Sequence, residues 1–269
     1  MYLFSVVLLF LVSVNIYAKE LPYSASVSLV TMSMDYREYD LNNNLLDSED
    51  SSYLDISGIE VGFDYELDKD IVSSSKISFN FMILGVYTEY IGSLRNSTEG
   101  YGSEISTTYN TIIDTDITYK RNYLFRKNLE LTYGMGLGYR EWERRLSSTQ
   151  VELYSWYSIR PMVGIRSLGN KFSLGILLEY QYGFNTIMGV SEPSISHDFT
   201  LGGANILEIS FPISYVYNKN TNLFFEAIMQ KQMITESDRL YTDDGSRYYY
   251  EPESTAYNNY LKFGVEYRF

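Results

Sequence analysis

The chain has one histidine, His197, with Asp198 beside it and Ser194 and Ser196 just before it. An imidazole carries a proton near neutral pH, and a neighbouring carboxylate can orient it. A serine hydroxyl in reach of that base would be an activated nucleophile for a peptide or lipid bond. Asp114 and Asp116 form a second candidate set. Spaced two apart, they share one face of a strand and could position a water.

Other chemistries are excluded. There is no cysteine, so thiolate metal sites, disulfides and cysteine nucleophiles are absent. One histidine without cysteine does not make a structural zinc site. No phosphate-binding glycine loop occurs. With 21 Lys+Arg against 34 Asp+Glu the formal net charge is -13, which argues against nucleic acid as a partner. The aromatics are unusual: Tyr 28 and Phe 14 against Trp 2. Tyrosine prefers places where an apolar surface meets water.

The elements that would hold these residues begin after a leader. Residues 3–14 read LFSVVLLFLVSV, an apolar run of signal-peptide length that is too short to span a bilayer comfortably. Ala18 stands where cleavage is expected, so 1–18 reads as a cleaved signal peptide and 19–269 as one domain. Beyond it, no stretch is long and apolar enough for a membrane helix.

Period-two alternation appears instead. Phe172, Leu174, Ile176, Leu178, Tyr180, Tyr182 and Phe184 would share one face, opposite Glu179, Gln181 and Gly183. Leu129, Leu131, Tyr133, Met135, Leu137 and Tyr139 repeat the pattern, and so do Leu261, Phe263, Val265, Tyr267 and Phe269. These runs are longer than ordinary soluble strands and suit tilted membrane strands. Ten are predicted, at 23–36, 53–67, 76–91, 109–121, 127–142, 151–166, 171–185, 203–217, 221–235 and 256–269. The fold class is therefore all-β: a closed antiparallel transmembrane β-barrel with short periplasmic turns and longer extracellular loops. Aromatic belts follow, with Tyr139, Tyr157, Tyr180, Tyr182 and Phe184 outside. Tyr65, Tyr119, Tyr215, Tyr217, Tyr267 and Phe269 mark the periplasmic rim.

With its leader, alternating strands and terminal Tyr267-Arg268-Phe269, the chain resembles bacterial outer-membrane β-barrel proteins. That resemblance implies an outer-membrane location, a lipid surround and delivery by the barrel-assembly machinery, which reads such a terminal Phe. The strand count is similar to that of the omptin proteases. Their resemblance implies His197 as base, Asp198 as its partner, and Asp114 and Asp116 as the acidic pair. The family's Asp-x-His order is replaced here by Ser196-His197-Asp198, and its tryptophan-containing stretch is missing.

The inward face is charged. Glu60, Asp64, Asp114, Asp116, Arg140, Glu152, Arg160, Glu179, Glu208, Lys262 and Glu266 are expected to form a network of ion pairs across a small lumen. Gly134, Gly136 and Gly138 leave a bare stripe on which Tyr154 or Trp156 is expected to pack. Residues 35–50 and 236–253 read as acidic external loops and are candidates for divalent cations. Asp40, Asn42 and Asn44 imitate a calcium loop, but Leu45 stands where glycine is needed.

The main functional reading is a monomeric, non-enzymatic outer-membrane barrel with a largely filled lumen. It would act structurally or bind an extracellular ligand through its acidic loops. The alternatives are a narrow pore for ions or small solutes, and an omptin-like protease or lipid hydrolase using His197.

Overall fold

A computed structural model describes residues 22–51, 56–93, 100–192, 195–241 and 248–269. The predicted leader, 1–18, and Ser194 lie outside these residues. The described chain is all-β and antiparallel. Its strands are β1 (Tyr23–Tyr39), β2 (Leu45–Asp50), β3 (Ile56–Lys69), β4 (Ser73–Gly92), β5 (Glu104–Arg126), β6 (Leu129–Arg145) and β7 (Val151–Leu168). There follow β8 (Phe172–Glu192), β9 (Ile195–Thr200), β10 (Ala204–Val216), β11 (Thr221–Ile234), β12 (Leu240–Tyr241), β13 (Tyr248–Tyr249) and β14 (Glu253–Arg268).

This corrects the expected closed barrel of ten continuous strands. The main sheet has 12 strands, and its order is a path with two ends, β10-β11-β14-β1-β2-β4-β5-β6-β7-β8-β9. β3 lies off that path, paired with β1 and β4, and β10 also pairs with β8. A separate two-stranded pair, β12–β13, stands within the segment expected as a loop. The physical reason is that two segments expected as loops form strands of their own, β2 within 37–52 and β9 within 186–202. β2 and β3 both lie between β1 and β4, with β2 on Asp35–Tyr39 and β3 on Tyr23–Thr31 of β1. β9 and β10 both pair with β8 and are separated by Gly202 and Gly203, the latter at φ 146°. Glycine alone adopts that conformation readily.

Alternation decides which side of the sheet each residue faces. Phe172, Leu174, Ile176, Leu178, Tyr180, Tyr182 and Phe184 of β8 are all exposed. Gln181, between them, is 2% exposed. The parity changes at Asn185, which has φ 53°. There β8 carries one residue more than its partner β7: Tyr157 faces Phe184, whereas Ser155 faces Ile187. This β-bulge turns Thr186 and Met188 inward and Ile187 outward.

The sheet curls around a polar interior, because side chains meet across it. Arg140 of β6 donates to Gln230 of β11 at 3.0 Å, and Arg144 of β6 reaches Glu38 of β1 at 2.9 Å. Apolar side chains cover the outer face. Among the expected aromatics, Tyr139 and Tyr157 have ring centroids 5.3 Å apart, and Phe184 stacks on Tyr157 at 6.2 Å. At the opposite end Tyr23 stacks on Tyr65, and Tyr267 meets Phe269 edge-on.

Candidate functional site: a polar interior sealed at one end

The middle of the interior is built from inward residues of β3 to β8, β10, β11 and β14. Asp114 is held by two arginines, Arg140 Nε at 2.5 Å and Arg160 Nη1 at 2.9 Å. All three are buried. Arg160 lies 3.8 Å from Asp116, whose oxygens also accept from Asn80 and from Thr118 at 2.7 Å. Lys262 pairs with Glu60 at 2.6 Å, and Lys76 with Asp64 at 2.6 Å. Glu208 accepts from Gln230 at 2.9 Å, Glu179 from Gln181 at 3.0 Å, and Glu266 from Asn222 at 2.9 Å. The ion pairs are what buried charges need, whereas Glu179 and Glu208 have only neutral amide donors.

Two cavities run through this region. One of about 170 Å³ is bounded by Asp114, Arg140, Arg160, Glu179 and Glu208. The other, of about 300 Å³, lies toward the end with the short turns, between Asp64, Lys76, Arg166 and Glu266. Glu60, Asn80, Lys120, Leu177 and Glu226 belong to both walls. The two cavities therefore adjoin, the first ringed by charged side chains and the second mixing charged residues with Ile165, Ile213 and Phe224.

The loop end is sealed. Trp142 stacks on Tyr154 at 5.1 Å and meets Tyr36 edge-on at 5.4 Å. Above them Arg144 lies 4.2 Å over the Tyr36 ring. It pairs with Glu38 at 2.9 Å, Glu49 at 2.8 Å and Glu152 at 2.8 Å. Trp142 Nε1 donates to Asn110, and Asn110 and Thr88 donate to Glu49. Tyr154 donates to Glu251, and Tyr36 to Glu38. Four acidic side chains thus converge on one guanidinium and its tyrosines. Outside the strands that would cross a membrane, burial raises the Asp47 carboxyl to about 7, with the Glu38 charge adding to it. Burial, with Glu38 and Glu152, holds Glu251 well above the usual range.

Most of this seal was not anticipated. Of its members, Glu152 and Tyr154 were expected inside, whereas Glu38, Glu49 and Glu251 were assigned to solvated loops. All three are buried. The signal was the same alternation carried further. Val30, Met32, Met34, Tyr36 and Glu38 keep one parity on β1, and Arg140, Trp142 and Arg144 keep one on β6.

The glycine stripe also serves other neighbours. A Cβ on Gly138 would meet Arg160 Nε at 2.2 Å, one on Gly136 would meet Thr118 Oγ1 at 2.6 Å, and one on Gly134 the Tyr119 carbonyl at 2.4 Å. Trp156 packs instead over Gly183 of β8, 3.0 Å from where its Cβ would be.

The histidine couple is not assembled. His197 stands on β9 edge-on to Phe199, at 5.2 Å. Phe199 is buried and Asp198 is exposed, so His197 and Asp198 take opposite faces of the strand. Ser196 pairs with Ser191 in the β8–β9 register. The ladder His197, Val190, Glu152, Arg144, Asn110 leads to a point four residues from Asp114 along β5. That separation is roughly 13 Å of strand. Both Asp114 oxygens are engaged by arginines.

In the 35–50 segment, Asp40 accepts from the amides of Asn42 at 2.8 Å and Asn44 at 2.7 Å. The hydrogen bonds from Asn44 hold its carboxyl below the usual range. Among the described residues no group of three or more His, Asp or Glu is placed to hold a metal ion.

Among solved structures the chain is similar to the outer-membrane protease OmpT from Escherichia coli, with a TM-score of 0.58 and 13% identity. The match covers 94% of this chain and 99% of that one. That likeness shows a shared fold. The neighbours are outer-membrane proteins, and they include the translocator domain of the autotransporter NalP from Neisseria meningitidis. It has a TM-score of 0.45 and 8% identity over 99% of this chain and 95% of that one. The transport unit of the autotransporter AIDA-I from Escherichia coli has a TM-score of 0.45 and 9% identity, covering 95% of this chain and 93% of that one. No protein-family model matches the chain, and no curated protein sequence matches it.

Proposed function

We propose that this chain is an outer-membrane conduit for ions or small polar solutes, normally shut at its loop end by the Arg144 seal. The observation that carries this reading is the shared wall of the two cavities. Placed end to end, the two cavities would make a charge-bearing passage from the middle of the protein to its turn end. The apolar outer face suits lipid, as expected of a sheet seated in an outer membrane. The leader at 1–18 would be removed on export, leaving 19–269 to insert with its short turns in the periplasm.

Planar-bilayer recording tests the proposal. Wild type is expected to show small or rare openings. Trp142→Ala and Tyr154→Ala remove stacked rings from the seal, and each is expected to raise open probability several-fold. Absence of conductance in wild type and in both folded variants would overturn the conduit.

A further inference from the structure

We infer that Glu179 and Glu208, together with the side-chain oxygen of Gln181, form a binding site for a partly hydrated monovalent cation inside the 170 Å³ cavity.

Glu179 of β8 and Glu208 of β10 are direct register partners, so two carboxylates face each other across one ladder step. Like charges at that spacing repel. The other acidic groups of the cavity have basic partners. Asp114 has Arg140 and Arg160, Asp116 has Arg160 at 3.8 Å, and Glu60 and Glu226 have Lys262 at 2.6 and 3.9 Å. Glu179 and Glu208 form no ion pair among the described residues. Their hydrogen bonds come from neutral amides, Gln181 Nε2 and Gln230 Nε2. Arg160 and Lys120 act on Glu179, and Lys262 on Glu208, only at longer range.

Gln181 supplies the independent observation. It is 2% exposed, it lines the same cavity, and its Oε1 has no hydrogen-bond partner. A buried acceptor without a donor is costly unless something electropositive meets it. Two carboxylates without an ion pair and one free carbonyl oxygen line one side of the cavity, whose other walls carry Lys120, Arg140, Arg160 and Lys262. The cavity holds a small ion with some of its water, since a water takes roughly 30 Å³. A divalent ion such as calcium wants six to eight oxygens and commonly several carboxylates, more than this pocket presents. A monovalent cation suits it. The site would make the passage cation-selective. That role rests on the proposed conduit, whereas binding is measured apart from conduction.

The test compares wild type with Glu179→Gln/Glu208→Gln, a pair that keeps shape and removes charge. Thermal unfolding in detergent is followed at fixed ionic strength in potassium chloride and in choline chloride. Reversal potentials across a potassium chloride gradient are recorded in parallel. Wild type is expected to melt about 2–4 °C higher in potassium, and the double variant equally in both salts. A wild-type melt indifferent to potassium, or a shift that survives in the double variant, would overturn the site. A potassium shift without conductance would keep the site and remove the conduit. Conductance with unchanged selectivity in the double variant, and no shift, would keep the conduit and remove the site.

Discussion

Arg144 Nη2 lies 2.8 Å from Glu49 Oε1, with side-chain exposures of 1% and 0%. The two residues come from strands 95 positions apart in sequence, so this contact fastens β2 to β6 across the interior. Removing one member of a buried ion pair strands the other. Arg144→Met is expected to cost about 3–5 kcal/mol in urea unfolding, and Arg144→Lys less. Equal stability of Arg144→Met and wild type would show that the guanidinium holds nothing together.

The seal should respond to pH. Asp47 titrates at about 7 in the folded state, beside Glu38, Tyr90 and Arg144, against roughly 3.9 in an unfolded chain. The folded state keeps a proton that the unfolded state releases, so the stabilisation is complete below about pH 4. It is lost as the pH rises to 7 and is flat above that. Glu251 pulls in the same direction. Amide exchange in β2 is expected to be slower at pH 5 than at pH 8 after correction for intrinsic rates. Asp47→Asn is expected to shrink that difference.

Gly138 leaves room for the guanidinium of Arg160, whose Cζ would lie 2.4 Å from an added Cβ. Arg160 is pinned by Asp114 and cannot swing away freely. Gly138→Ala is therefore expected to cost about 1–3 kcal/mol, read as a lower unfolding midpoint. Gly100→Ala, where no atom lies within 4 Å, is the control and is expected to be neutral.

Leu137 is 58% exposed, with Ile117 and Ile159 as register partners. If lipid covers this face, Leu137→Arg is expected to cost about 2–4 kcal/mol in vesicles. Tyr87→Arg, nearer the loop end, should cost about 0–1 kcal/mol. Equal costs at both positions would argue against a bilayer at this depth.

Period two made the strands and their apolar faces legible, because a residue such as Leu178 has one side available to it. It also placed Asp114, Arg140 and Arg160 on a common face. It did not reveal that Glu38 and Glu251 turn inward, since an acidic stretch reads as solvated unless its cation is known. That cation, Arg144, lies 106 residues from Glu38. The additional strand in the 37–52 segment was equally hidden: β2 and β3 share the same two neighbours, and only pairing reveals it. His197 and Asp198 read as loop residues in the sequence, and the structure parts them by placing both on a strand. Adjacent residues of a strand point apart, and both stand on β9.

The bulge at Asn185 means that sidedness in this protein is counted, not composed. Deleting that single residue would leave the rest of the sequence untouched. It would nevertheless exchange wet and greasy sides for the following stretch, sending Thr186 and Met188 out and drawing Ile187 in. The upper part of β8 thus takes its orientation from one left-handed residue, which works as a phase marker for the chain beyond it.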